Sequence, residues 1–546
     1  MNLKTAPVFF LDLQTTGAKP DVANILEIAW GSLRSEKVES YLIEQPDGES
    51  VPRRIQFITG IFDEDMTHAR FLGDVLTQLK NYITQEVGPD ALAVIHFAQF
   101  EKPFLLDAFE RAGETVPFSI LCTHEIAKRL LPNLPTRGIK GLAGYFGCPS
   151  GELKRATAHV QATQVIWQGL VAALEEKGLH TLNDLQQWLQ ETPKASRSKY
   201  EYPLPKEKRL SLPKKPGVYR MISRWGEVLY VGKATSLHDR VNSYFRGQKN
   251  RDTRKLEMLT QVWDLQVTTV SSPLEAALLE TDEIKRLNPP YNVSLKVGHR
   301  ELAFFNRDFT SWNTEADEEH VIGPFSNAMA LDSILRLSVS LQSPEFDSHM
   351  FFEPLDANLL KDGFALFCER HGFEKEAFTS VRSILAVGLN WYRQLEEVEE
   401  DESIDAVTEI EEDTNEDVEL TAEDIADKFE RHFIRSAATY LRTKKLTKLL
   451  NAQIKIKADK ITSLQFQGGH LVSTLSSDPR PQNPWQNLSI DTYDRMTVLL
   501  TELNKLRSQN HTIEITPIHA TFIDATDPRP LAENSHSTPS NPALRQ

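Results

Sequence analysis

The sequence predicts a multidomain α/β protein, and three observations carry that reading. The chain has 546 residues, more than one hydrophobic core serves. Short apolar runs of strand length alternate with helix-period stretches up to about Leu189. The alternation restarts at Leu212, after a stretch rich in Pro, Ser, Lys and Arg.

The elements follow in chain order. Val8–Leu13, Ile25–Leu33 and Leu92–His96 read as buried strands, with Phe71–Ile83 and Thr163–Leu174 as helices among them. Together they give a first α/β domain over 1–190, followed by a basic linker over 191–211. A small second α/β domain occupies 212–297, and a further segment runs over 298–395. Between Glu396 and Asp424 stand sixteen Asp and Glu and no Lys or Arg. Like charges repel, so this run is expected to be a flexible tether. An α+β region is expected over 425–525. It opens with a helix, Ile425–Leu450, whose basic end (Arg442, Lys444, Lys445, Lys448) reads as a solvated face. Ile461–Phe466 and Leu471–Leu475 flank Gln467-Gly468-Gly469-His470, a hairpin signal, and Ile513–Ile523 reads as another strand. Residues 526–546 are polar and Pro-rich, as expected of a disordered tail.

Composition narrows the class. With 40% hydrophobic and 25% charged residues the chain has ordinary globular make-up. No window approaches the ~18 apolar residues of a transmembrane helix, so no membrane association is expected. The start lacks a signal-peptide core, and Cys122, Cys148 and Cys368 have no metal-type or disulfide spacing. A reducing cytoplasm is the expected location. The net charge of -16 equals the contribution of the acidic run, so the remainder is formally neutral. Lys194–Lys255 reverses the balance, with seventeen Lys and Arg. A basic block of that size suits phosphate, and Arg246, Lys249, Arg251, Arg254 and Lys255 are its candidate DNA-binding residues.

The chemistry-bearing stretch begins at Gly217-Val218-Tyr219 and Tyr230-Val231-Gly232-Lys233, two short strands joined by a turn at Trp225-Gly226. A helix over Ser236–Phe245 places Arg240 and Tyr244 one turn apart on one face. A second helix, Pro273 to about Leu287, sets Glu280 in a stripe with Ala277, Leu278 and Ile284. A carboxylate there costs desolvation energy unless it is paired or holds a cation. Glu275 falls on a different face and reads as helix-start charge. Tyr, Lys, Arg and one carboxylate together suit phosphodiester hydrolysis, in which a hard cation polarises phosphate and Arg offsets transition-state charge.

These ordered pieces, continued by Pro290-Tyr291-Asn292-Val293, resemble the GIY-YIG nuclease family, in the branch of the excision-repair subunit UvrC and its shorter relative Cho. The resemblance covers Leu212 to about Lys296 and extends to Ile322-Gly323-Pro324-Phe325. It implies that Glu280 holds one Mg²⁺ or Mn²⁺ ion, and that Tyr219 and Tyr230 orient or deprotonate the attacking water. Lys233 would assist at the water or phosphate, Arg240 would stabilise the scissile phosphate with support from Tyr244, and Asn292 would brace the site. It also implies damaged double-stranded DNA as substrate, UvrB and UvrA as partners, and incision of one strand near a lesion.

The amino-terminal region carries a second resemblance. Phe9-Phe10-Leu11-Asp12-Leu13-Gln14-Thr15-Thr16-Gly17, His96-Phe97-Ala98-Gln99-Phe100-Glu101 and Lys154–Thr163 resemble the three motifs of the DEDD exonucleases, which implies an RNase H-like layer. The chemistry does not follow, because two-metal hydrolysis needs clustered anionic oxygens. Here Gln14 and His159 stand where the family has carboxylates, and Lys154 stands for its His. Only Asp12 and Glu101 remain acidic, which with His159 leaves room at most for one softer ion such as Mn²⁺. The expectation is a domain without normal exonuclease activity, retained to hold DNA or a partner. Beyond Phe325 neither a second RNase H-like nuclease nor helix-hairpin-helix glycine pairs are found, so one incision is expected. The competing readings are a non-catalytic DNA-binding scaffold and a polymerase-associated 3′–5′ exonuclease.

Overall fold

Strand β1 (Val8–Thr15) reads as an almost unbroken apolar run because both of its faces are covered. Phe9, Leu11 and Leu13 enter one core with Val75, Leu79, Phe104 and Phe109, whereas Phe10 enters another with Ile166, Trp167 and Leu170. In the computed structural model β1 pairs antiparallel with β2 (Ile25–Gly31), and β2 with β3 (Glu39–Leu42). On its other side β1 pairs parallel with β4 (Leu92–Ile95), and β4 with β5 (Ser119–Cys122). The resulting order, β3-β2-β1-β4-β5, is the α/β layer expected of the first domain.

The structure describes residues 1–35, 37–46, 49–149, 151, 153–191, 200–246, 252–293, 301–343, 345–351, 354–374, 377–396, 420–457, 461–472 and 488–518. Contacts divide the chain into two units, Met1–Lys296 and Val297–Gln546.

In the first unit, helices α1 (Arg53–Thr59), α2 (Leu72–Tyr82), α3 (Ala98–Arg111), α4 (Thr123–Leu130), α5 (Ile139–Phe146), α6 (Ala156–Glu176) and α7 (Leu182–Gln190) complete the sheet's surroundings. The expected helix Phe71–Ile83 is α2, and Thr163–Leu174 is the middle of the longer α6. Helix α6 starts early because buried Glu27 caps it: Ala156 N–H donates to Oε2 at 2.9 Å while Arg155 binds the same carboxylate at 2.7–3.1 Å.

After α8 (Lys206–Leu210) a second sheet forms from β6 (Gly217–Ile222), β7 (Val228–Ala234) and β8 (Asp264–Thr269), in the order β7-β6-β8. All its pairings are antiparallel, with Tyr219 opposite Gly232 and Met221 opposite Tyr230. Helices α9 (Leu237–Ser243), α10 (Thr253–Gln261) and α11 (Pro273–Leu287) pack around it. Ser236 and Ser272 cap α9 and α11, and Pro273 sits in the first turn of α11, where its missing N–H costs nothing.

In the second unit, β9 (Ala303–Asn306), β10 (Trp312–Asn313) and β11 (His320–Phe325) make a small sheet in the order β10-β9-β11. Helices α12 (Asp332–Ser340), α13 (Ala357–His371), α14 (Val381–Glu396) and α15 (Ala422–Leu450) share its core. That core is aromatic, with Phe305, Phe325, Phe364, Phe367, Phe429 and Phe433 all buried. The basic-ended helix α15 therefore buries one whole stripe from Ile425 to Leu450. It continues into a four-stranded antiparallel sheet, β14-β13-β12-β15, of β12 (Ala452–Lys457), β13 (Ile461–Gln467), β14 (His470–Leu471) and β15 (Thr512–Pro517), joined by α16 (Ile490–Ser508). The hairpin turn falls at Gly468-Gly469, both at positive φ. The acidic run over 397–419, the tail from 519, and the linker over 192–199 lie outside the described residues. Among the described residues no helix is long and apolar enough to cross a membrane.

Candidate active site

The site is built on the β6–β7 hairpin. In an antiparallel pair a side chain lies over its cross-strand partner and its diagonal neighbours. Tyr219 on β6 stands opposite Gly232 on β7, and Tyr230 lies two residues before Gly232, so both rings share one face. Their centroids are 6.1 Å apart. Gly232 makes room for them, since an added Cβ would come within 2.4 Å of the Tyr219 hydroxyl and 2.8 Å of Tyr230 Cε1. This is the physical content of glycine in the second tripeptide.

Helix α9 brings two more groups to this face. Tyr244, at its carboxyl end, meets Tyr219 hydroxyl to hydroxyl at 2.9 Å, and its ring lies 6.3 Å from Tyr230. The Arg240 guanidinium sits 5.5 Å from the Tyr244 ring centroid, and its charge acts on Tyr219. The three phenols and one guanidinium form a single cluster.

Helix α11 supplies the carboxylate. Glu280 is turned inward, with its side chain 15% exposed, and Oε1 accepts the Lys233 backbone N–H at 2.9 Å. The Lys233 ammonium stands 3.9 Å from Oε2, and the Glu280 charge acts on Tyr230. Elsewhere on α11, Glu283 pairs with Arg220, and Glu275 accepts the Ser271 N–H at the helix start. Asn292 braces the strand from behind: its side-chain carbonyl accepts from Val231 N–H at 3.0 Å and its amide donates to Val231 C=O at 2.9 Å.

Burial pushes the Tyr219 phenol well above its usual range, with added repulsion from the Tyr244 and Tyr230 phenols and an opposing pull from Arg240. Burial likewise raises Tyr230, helped by Tyr244 and by Glu280. Both phenols are therefore protonated donors at neutral pH. Tyr244 raises and Arg240 opposes at both phenols, and the Glu280 charge adds to the rise at Tyr230.

A divalent ion fits this donor set as a hard cation with one protein ligand. Among the described residues no group of three or more His, Cys, Asp or Glu gathers to enclose a metal. A single inward carboxylate leaves the remaining positions to water and phosphate oxygens, as Mg²⁺ favours.

Not all of the expected DNA-binding residues gather here. Arg254, in the first turn of α10, donates to Pro290 C=O at 3.2 Å and lies 6.0 Å from the Tyr291 ring. Arg246 and Lys255 are exposed near the ends of α9 and α10, and Lys249 and Arg251 lie outside the described residues.

The amino-terminal cluster is a different chemical object. Asp12, 4% exposed on β1, accepts from Gln14 Nε2 at 3.0 Å and from His159 Nδ1 at 3.1 Å. The other His159 nitrogen, Nε2, lies 3.1 Å from Leu153 C=O. Gln14 Nε2 also lies 3.3 Å from Nδ1, so Asp12, Gln14 and His159 form one hydrogen-bonded cluster. Burial works against a positive charge on His159, but the hydrogen bond and charge of Asp12 outweigh it and the His159 pKa is raised. Glu101, 4% exposed, is pushed well up by burial and by the Asp12 charge. Lys154 is exposed, with its stem near Gly60. Asp12, Gln14, Glu101 and His159 thus come together, with burial raising the pKa of both carboxyl groups and Asp12 held by hydrogen bonds to Gln14 and His159.

Several groups that shape these sites carried no sequence signal. Glu27, the cap of α6, and Glu257, which accepts from the Tyr291 hydroxyl at 2.7 Å, look like surface acids in a linear reading. His96 is buried; its Nδ1 meets Thr123 Oγ1 at 2.9 Å and its Nε2 is without a partner.

Comparison with known proteins agrees with the geometry of the second sheet. Residues 215–293 match the UvrC-like GIY-YIG domain model. A Mycobacterium tuberculosis protein, whose name describes a bifunctional exonuclease/endonuclease, is 29% identical over 343 residues, covering 60% of this chain and 51% of that protein. The UvrABC system protein C of Chlorobium phaeobacteroides is 38% identical over 138 residues, covering 24% of this chain and 22% of its own. That of Alkalilimnicola ehrlichii is 53% identical over 87 residues, covering 16% and 14%. The chain thus spans about half the length of the first relative and far less of the others. Among solved structures, the magnesium-bound GIY-YIG endonuclease domain of Thermotoga maritima UvrC is 32% identical, covering 16% of this chain and 93% of that one at a TM-score of 0.15. Exonuclease X in complex with DNA is 20% identical, covering 33% of this chain and 99% of that one at a TM-score of 0.25. Residues 215–293 are a GIY-YIG nuclease domain of the UvrC type.

Proposed function

We propose that this chain is a cytoplasmic, divalent-cation-dependent DNA endonuclease that incises one strand near lesions, acting with UvrA- and UvrB-type partners. The observation that carries the reading is the inward Glu280 carboxylate against Lys233, on the same strand as Tyr230 of the phenol–Arg240 cluster. The repair context rests on the UvrABC system protein C relatives.

Each residue has a role in this reading. Glu280 would hold one Mg²⁺ or Mn²⁺ ion, which supplies Lewis-acid polarisation of the phosphate and acidifies water. Tyr230 orients the attacking water by hydrogen bonding. It accepts that water's proton only if nearby positive charge draws its phenol down from its raised pKa. Lys233, three residues further along β7, supplies such charge. Arg240 offsets charge on the scissile phosphate, with its guanidinium aimed by Tyr219 and Tyr244. Asn292 fixes the strand that bears Tyr230 and Lys233.

The amino-terminal domain has a non-hydrolytic role in the same proposal. Asp12 is engaged by Gln14 and His159, and burial raises both the Asp12 and the Glu101 carboxyl, which disfavours the anionic pair that two cations need. The domain holds DNA or a partner instead.

The test is incision of an end-labelled duplex with one defined lesion, with and without UvrA and UvrB. The wild-type chain should nick one strand in the presence of Mg²⁺ or Mn²⁺, and Glu280→Ala should not. Equal nicking by both, or Mg²⁺-dependent degradation of single strands that Asp12→Ala abolishes, would replace this reading.

A further inference from the structure

The amino-terminal domain touches the nuclease domain along one seam, which leads to the strand that carries Tyr230 and Lys233. Helix α5 of the first domain packs on α10 of the second. The approach depends on a missing side chain: a Cβ on Gly144 would fall 1.8 Å from Gln261 Oε1 and 2.2 Å from its Cδ. Gln261 is 2% exposed and donates to the Tyr291 hydroxyl. One turn before Gly144, Lys140 places its ammonium 3.7 Å from Glu257 Oε1 and 5.1 Å from the Tyr291 ring centroid. At the end of the seam, Trp225 of the β6–β7 turn donates its indole N–H to Gly147 C=O, and Tyr145 lies 5.5 Å from Trp263.

Tyr291 is where these contacts converge. Its hydroxyl donates to Glu257 at 2.7 Å and receives Gln261, and its backbone N–H donates to Leu229 C=O at 3.1 Å. The next residue is Asn292, which holds both backbone groups of Val231. The path from α5 therefore runs through Glu257 and Gln261 to Tyr291, then by one covalent step to Asn292, and across to β7 between Tyr230 and Lys233.

We infer that the amino-terminal domain acts as a positioning brace for the nuclease strand, through Gly144 and Lys140 on α5 and Glu257 on α10. This rests on the proposed nuclease reading of the Glu280 site. The brace touches no reacting atom, so its loss should leave DNA binding alone and slow the chemical step. Small displacements of a catalytic strand cost rate steeply, as much as about a hundredfold per ångström.

The experiment uses the full-length chain and a lesion-bearing duplex with Mg²⁺. Gly144→Leu drives a side chain into Gln261, and Glu257→Ala removes the acceptor of the Tyr291 hydroxyl. Each should lower kcat about tenfold or more with KM for DNA unchanged. Glu257→Gln, which still offers a carbonyl oxygen to Tyr291, should recover most of the loss. Hydrogen exchange gives a readout independent of cutting: the amides from Tyr230 to Lys233 should exchange faster in Gly144→Leu while those of β1 stay as in the wild type. If the wild-type chain fails to nick, the nuclease reading falls, whereas the exchange result still judges the brace. Folded Gly144→Leu and Glu257→Ala variants with wild-type kcat and unchanged exchange would overturn the brace. So would a loss confined to KM.

Discussion

Replacing Gly232 by Ala tests the packing of the site with a single methyl group. The added Cβ would lie 2.4 Å from the Tyr219 hydroxyl, 2.5 Å from its Cζ and 2.8 Å from Tyr230 Cε1. Non-bonded carbon atoms sit best at ~3.5–4.0 Å, so the Tyr219 ring must retreat by about 1 Å. It has nowhere to go, because Tyr219 is fully buried and its hydroxyl is tied to Tyr244. Overpacking of this kind costs about 1–3 kcal/mol of stability. Misplacing the phenols by about 1 Å should cost on the order of a hundredfold in rate. The assay pairs thermal unfolding with the rate of plasmid nicking. The expected result is a folded protein with a modestly lowered Tm and a nicking rate down about a hundredfold. A Gly232→Ala protein that nicks at the wild-type rate would show that the Tyr219–Tyr230 face is not where the reaction occurs.

Other perturbations give distinct outcomes. Asn292→Ala leaves the Val231 N–H and C=O buried and unmatched, at about 1–3 kcal/mol each, so chemical denaturation should show a loss of a few kcal/mol together with reduced nicking. His96 is buried with a pKa lowered to about 3, first by desolvation and then by the His124 charge. Thr123 Oγ1 bonds to Ile95 C=O at 3.3 Å, so His96 Nδ1 donates to Thr123 and the added proton would go to the unpartnered Nε2. The unfolded chain takes up that proton near pH ~6.5 and the folded chain near 3, so stability falls as pH drops through that window. Between pH 7 and 5 the loss from this group is about 2 kcal/mol, and it should be absent in His96→Gln when denaturant midpoints are compared at both pH values. Arg240→Ala should lower nicking about a hundredfold with little change in Tm, because a partly exposed guanidinium supports charge in the transition state more than it supports the fold.

The sequence was most legible where chemistry demands particular residue types in order. The hairpin tyrosines, Gly232, Arg240, Tyr244 and Glu280 were read from the motif; the structure gathers the three phenols with Arg240 and sets Glu280 against Lys233 of β7. The apolar strand runs of the first sheet were equally readable, since strands covered on both faces leave no polar alternation. The basic block concealed structure instead. Reading Arg254 and Lys255 as a phosphate track obscured that they open α10, which buries Met258 and Leu259 in its own domain's core and turns Glu257 and Gln261 to α5. Helix α10 is short and rich in charge, and its partner α5 lies more than a hundred residues away, so no local pattern announces the contact. The same holds for Glu27 and Arg155, an ion pair whose purpose, starting α6, exists only once the chain has folded. In the degenerate motif the substitutions were visible. Their joint outcome, Asp12 bonded to Gln14 and to a His159 whose other nitrogen meets the Leu153 carbonyl, takes shape only in the folded chain.

The most direct measurement is the metal-dependent nicking rate of Glu280→Gln beside the wild type. Gln keeps the volume and still accepts the Lys233 N–H, so the fold should hold while the anionic ligand is lost. The account predicts at least about a hundredfold loss of nicking in Mg²⁺ or Mn²⁺, with wild-type Tm and wild-type DNA binding, and loss of wild-type nicking on adding EDTA. Nicking that survives in Glu280→Gln, or that is indifferent to EDTA, would contradict it.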